Sequence, residues 1–257
     1  MTILVSGLVL ASCSQKQGSD NPLLQTWDTP FETAPFEKIK VEHYLPAFEA
    51  AMAEHDKEIQ AIIDNAEAPT FDNTIAALDY SGQTLTKVAG VFFNMMAANT
   101  SEELQKVNEQ IGPMMATHSD NVSMNAKLFE KIKAVYDAKD SQKYTGEQLA
   151  LLEKTYKQFV RSGALLDAEK QAELREVNAE LTKVEAKFDA NLLKETKSYQ
   201  LVIDNQENLK GLPQGEIEKA AALAKQEGKE GKWIFTLDNP SFIPFVTYAD
   251  NRDLRKE

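Results

Sequence analysis

Asp167–Leu192 reads DAEKQAELREVNAELTKVEAKFDANL. Within it Leu174, Val177, Leu181, Val184, Phe188 and Leu192 recur three or four residues apart, with no glycine or proline among them. That is the period of one face of a helix, sustained for about five turns. The spacing predicts the longest helix of the chain, beginning at Asp167. Its apolar stripe should be covered, either by a coiled-coil partner or, more commonly, as the core seam of a helical bundle.

Beyond this helix the period changes. SYQLVID (Ser198–Asp204) and KWIFTLD (Lys232–Asp238) are short β-rich runs, separated by Pro213 and an alanine-rich helix over about Glu216–Gln226. They are predicted to pair as a two-stranded ribbon within residues 199–238. The last stretch, NPSFIPFVTYADNRDLRKE (Asn239–Glu257), opens a helix at Asn239-Pro240 and carries an apolar arc of Phe245, Val246, Tyr248 and Ala249. Charged residues follow with no capping glycine or asparagine expected behind them, so the helix is read as having a start and no stop.

Before the long helix, Thr145 opens a run to Ser162-Gly163, and Ala126–Ala138 forms another. Ser101 opens a third, expected to break near Gly112-Pro113. Thr70 or Asp72 caps a segment in which Ile75, Leu78, Leu85, Val88, Phe92 and Met96 recur at helical spacing, with a gap around Gly82. Pro46 to about Asn65 is helical by composition. Asn21–Pro46, with four prolines, reads as extended chain lying over a surface. The fold class is therefore mostly α, a multi-helix body with one short β ribbon.

Composition bounds the function. The 257 residues are 42% hydrophobic, and 28 Lys+Arg stand against 40 Asp+Glu for a net charge of −12. That balance, without any basic run interleaved with aromatics, argues against nucleic acid and against anionic lipid surfaces as partners. The one cysteine, Cys13, follows a short apolar run in MTILVSGLVLASCSQ, too short to span a bilayer. Leu10-Ala11-Ser12-Cys13 resembles the box of a bacterial lipoprotein signal, although the usual Lys/Arg start is missing. The resemblance implies a signal over residues 1–13 ending at a lipidated Cys13, a tether over 14–21 and a body over 22–257. Contact with a membrane would run through the lipid anchor alone, in the bacterial cell envelope or periplasm.

A catalytic set does not emerge from the residues. The histidines are His43, His55 and His118, and none has a second histidine four positions on, as a helical zinc-protease motif requires. His43 lies by the proline-rich segment, His55 on a charged helix face and His118 after the expected break, so no convergence is predicted. There is no Gly-x-Ser-x-Gly elbow and no phosphate loop. Met95-Met96 and Met114-Met115 could line a peptide groove but are more often core filler.

Four blocks carry a resemblance: PFEKIKVEHYLPAFEAAM (Pro35–Met52), PTFDNTIAALD (Pro69–Asp79), LLEKTYKQFVRSGALLD (Leu151–Asp167) and KWIFTLDNPSFIPFVTYADNRDLRKE (Lys232–Glu257). Together they resemble the N-terminal half of the dipeptidyl carboxypeptidase and thimet oligopeptidase family of zinc metallopeptidases, most strongly its peptidyl-dipeptidase branch. The resemblance implies a helical ellipsoid split by a deep channel, with this chain forming part of one wall. It implies hydrolysis of short unstructured peptides with release of C-terminal dipeptides. The zinc, its H-E-x-x-H helix and a further glutamate ligand belong to the larger half of the family, expected after Glu257. On that reading no catalytic or metal residue falls in this chain, and the missing catalytic half is its partner. The alternative is a stand-alone helical lipoprotein that binds peptides or a partner without catalysis.

Overall fold

The structure is a computed structural model that describes residues 20–257. Cys13 and most of the expected tether lie outside the described residues. The chain divides into two compact units between Lys183 and Val184.

The first unit is helical. Its elements are α1 (Tyr44–Asp64), a π-helical turn (Phe71–Ala76) running into α2 (Ala77–Tyr80), α3 (Gln83–Ala98), α4 (Glu102–Ser123), α5 (Ala126–Asp137), α6 (Gly146–Arg161) and the start of α7 (Ala168–Ser198). Side-chain caps fix several of the starts. Thr70 accepts from the Asn73 amide, Ser101 from Leu104, Asn125 from Leu128 and Thr145 from Gln148. Each satisfies an amide that the first helical turn leaves open, for about 1 kcal/mol. The gap expected around Gly82 is real: Gly82 has φ +71°, and α3 starts immediately after it.

Two apolar clusters hold these helices together. In one, Leu23, Phe48, Val88, Phe92 and Ile111 are fully buried, and Phe92 meets Tyr44 and Phe48 edge-on at 5.0 and 5.6 Å between ring centres. In the other, Ile75, Leu128, Ile132 and Leu152 are buried beside Phe129 and Phe159. Each such side chain contributes about 1.5–3 kcal/mol by leaving water. The proline-rich entry segment joins the first cluster through Leu23, with 3-10 turns at Pro30–Glu32 and Val41–His43.

One expected break does not occur. Helix α4 runs unbroken from Glu102 to Ser123 with Pro113 inside it. Proline there removes one backbone donor, but Ile111 before it and His118 and Asp120 after it are all buried. Packing on both sides outweighs the local cost.

The second unit holds the remainder of α7, then β1 (Leu201–Ile203), α8 (Gln214–Gln226), β2 (Trp233–Phe235), α9 (Asn239–Tyr248) and α10 (Arg252–Lys256). The ribbon forms as expected, antiparallel, with Leu201 opposite Phe235 and Ile203 opposite Trp233. Its core gathers Leu201, Ile203, Leu209, Phe235 and Phe245, the last two rings 4.7 Å apart.

The C-terminal helix does have a stop, contrary to the sequence reading. Helix α9 ends at Tyr248, the Asp250 amide donates to the Lys210 carbonyl at 2.8 Å, and Asn251 caps α10 through the Asp253 and Leu254 amides. Asn251 is a start signal embedded in the charged tail, and its side chain also donates to Asn208 Oδ1 at 3.0 Å.

Candidate functional site

Helix α7 overturns the expectation drawn from its stripe. None of its residues is buried, and Val177, Leu181, Val184, Phe188 and Leu192 are between 51% and 63% exposed. In the first unit the helix docks through a different row, Gln171, Arg175, Asn178 and Thr182, also spaced four, three and four apart. Gln171 donates to the Gly163 carbonyl at 3.1 Å, Arg175 to Asn121 Oδ1 at 3.0 Å and Asn178 to Asp120 Oδ1 at 2.8 Å. A Cβ on Gly112 would meet the Thr182 methyl at 3.5 Å, so α4 and α7 approach closely there. The polar row is displaced by one residue, about 100° around the helix, from the apolar one. The period is correct and the docked face is its neighbour.

The histidines also depart from expectation. His43 Nδ1 accepts from the Lys40 amide at 3.0 Å, and its carbonyl accepts from the Asn21 side chain at 2.8 Å, which pins the entry segment. His55 and His118, predicted to lie apart, meet: Nδ1 of His55 is 2.8 Å from Nε2 of His118. They converge because His118 lies inside the unbroken α4, not after a break. Helices α1 and α4 pack side by side, and each presents one ring to the other.

Around this pair the polar groups form a line. His55 Nε2 is 3.1 Å from Ser81 Oγ, whose hydroxyl donates to the Leu78 carbonyl at 2.7 Å. At the other end His118 Nδ1 faces Asp56 Oδ1 at 3.4 Å. The Gly82 amide donates to Glu58 Oε2 at 2.7 Å. Burial, then the neighbouring His118, push the His55 imidazole below its ordinary pKa, with Glu58 and Asp56 opposing.

A serine, two histidines and a carboxylate in sequence invite comparison with a nucleophilic relay. The geometry does not support one. The Ser81 proton is committed to Leu78, and the Gly82 amide that could stabilise an oxyanion already holds the Glu58 carboxylate. The node is a polar anchor joining α1, α4 and the α2–α3 turn. Nor do its groups build a metal centre: among the described residues no three or more His, Cys, Asp or Glu side chains are grouped to hold an ion. Among them too, no helix is long and apolar enough to cross a membrane. An open, largely apolar hollow of about 550 Å³ lies between α3 and α4, lined by Leu85, Ala89, Phe93 and Met115.

Comparison with known proteins turns this geometry into a relationship. Residues 48–171, which span α1 to the start of α7, match the family model described as Neurolysin/Thimet oligopeptidase, N-terminal domain. Dipeptidyl carboxypeptidase of Escherichia coli K12 is 35% identical over 237 residues, 92% of this chain. This chain belongs to the dipeptidyl carboxypeptidase and thimet oligopeptidase family. Further family members match over similar spans. Oligopeptidase A of Escherichia coli K12 is 29% identical over 92% of the chain, and organellar oligopeptidase A of Arabidopsis thaliana is 29% identical over 93%. The chain spans about a third of the length of these curated relatives: 35%, 34% and 30% respectively. Within the family it corresponds to the N-terminal part, and its two-stranded ribbon and helices fit that mostly α assignment.

Proposed function

We propose that this chain is the N-terminal, channel-wall part of a zinc-dependent peptidyl-dipeptidase that takes short, unstructured peptides and releases C-terminal dipeptides. The observation that carries the reading is the 35% identity to a dipeptidyl carboxypeptidase across nearly the whole chain. A catalytic zinc normally takes three protein ligands, and the described residues do not fit one. The two histidines that meet are engaged with each other. In this reading the chain supplies scaffold and peptide-facing surface, while zinc and the hydrolytic groups belong to the catalytic part that makes up the rest of the family's length.

The test is to follow the reading frame past the Glu257 codon and assay what it encodes. A continuing frame should give a protein that releases dipeptides from an N-blocked peptide and loses that activity to a chelator. The 257-residue chain alone should release none. A frame that closes after Glu257, together with a purified protein that binds peptides without cleaving them, would favour the stand-alone binder. Anchoring through Cys13 in the cell envelope belongs to the same proposal. Labelled palmitate should enter the wild type and not Cys13→Ser, and equal labelling of both would remove the anchor.

A further inference from the structure

The His55–His118 contact has room for one proton and no more. At 2.8 Å one nitrogen must donate and the other accept. The neighbours set the direction. Because Ser81 donates to Leu78, its oxygen is an acceptor toward His55, so His55 carries its proton on Nε2. Nδ1 of His55 is then a lone pair, and His118 donates to it from Nε2. Asp56 accepts from Nδ1 of His118 across the longer contact. With a single added proton, on His118, every contact in the line is a hydrogen bond. With none, one contact is lost. With two, both facing nitrogens carry hydrogen and the central contact becomes a repulsion between cations.

We propose that this pair is a proton-gated lock between α1 and α4, closed while the two rings share one proton and forced open when mild acid supplies a second. The surrounding charges support the asymmetry. Those that act on His55 are His118 from α4 and Glu58 and Asp56 from its own helix, while the α2–α3 turn brings only the uncharged Ser81 and Gly82. From α3, Lys87 answers to Glu54, one residue before His55. From α7, Arg175 and Asn178 are taken up by Asp120 and Asn121. The second charge would fall on His55 Nδ1, which faces the buried His118 at 2.8 Å, so no water can stand between the two cations.

The sign follows from linkage. A histidine whose folded pKa lies below its unfolded value binds fewer protons in the native state, so stability is present above the unfolded value, near pH 6.5, and is lost as pH falls toward the folded one. For each proton excluded from the native chain the unfolding constant rises up to about tenfold per pH unit. Urea unfolding of the full 257-residue chain at pH 6.5 and pH 5.0 should show this destabilisation. His118→Gln, which still donates to His55 and cannot take a proton, should lose the part that the His118 charge adds and keep the part due to burial. An unchanged pH slope in that variant overturns the lock. Should the variant fail to fold, ring-nitrogen NMR of the wild type decides. The His55 imidazole should take up its proton below the ordinary histidine range, and a His55 that charges within that range would likewise overturn the proposal.

Discussion

Gly211 is the residue on which the second unit turns. Its φ is +88°, and a Cβ there would lie 2.1 Å from the Tyr248 carbonyl and 2.8 Å from Asp250 Oδ1. Backbone cannot be pushed aside as a flexible side chain can, so both conformation and space demand glycine. Gly211→Ala should cost at least about 2 kcal/mol, read as a lower urea midpoint. Gly228 offers the control: it also has positive φ, +70°, but nothing lies within 4 Å of its virtual Cβ. Gly228→Ala should cost only the left-handed strain, about 1 kcal/mol.

At the scale of elements, α7 separates period from face. Asn178→Ala removes the side-chain donor to Asp120, a buried carboxylate, and should destabilise by about 1–3 kcal/mol. Leu181→Gln, on the exposed stripe, should stay within about 0.5 kcal/mol. The reverse ranking in urea unfolding would mean that the apolar row is the docked one. The same helix explains what the sequence could and could not tell. Element type was legible wherever period or a cap decided it, as at Thr70, Ser101 and Thr145 and in the paired runs around Leu201 and Trp233. Which face docks was not, because Gln171, Arg175, Asn178 and Thr182 repeat with the same spacing as the apolar stripe; the first three dock by hydrogen bonds, and the Thr182 methyl lies close to Gly112. The histidine pair was hidden for a related reason: Pro113 signals a break locally, and only packing from both sides keeps α4 whole. Asn251 could have been found, since an asparagine followed by charged residues is a start signal.

For the molecule as a whole, the open stripe from Val177 to Leu192 predicts behaviour in solution. Apolar surface gathered along one helix is a hallmark of a docking face. Made alone, residues 22–257 should self-associate and bind a hydrophobic dye, and Leu181→Glu with Phe188→Glu should reduce both. A sharply monomeric species that binds no dye would show that this surface is tolerated bare. The match to dipeptidyl carboxypeptidase covers only 35% of that relative's length.

The division between Lys183 and Val184 falls inside α7, a helix without one buried side chain. Amides there are guarded by little beyond their own ladder, whereas those around Phe48, Leu128 or Phe235 open only when a cluster comes apart. Deuterium should therefore enter the middle of α7 well before the flanking cores. Limited trypsin digestion should nick first among Lys183, Lys187 and Lys194, releasing two pieces that each retain an apolar cluster of their own.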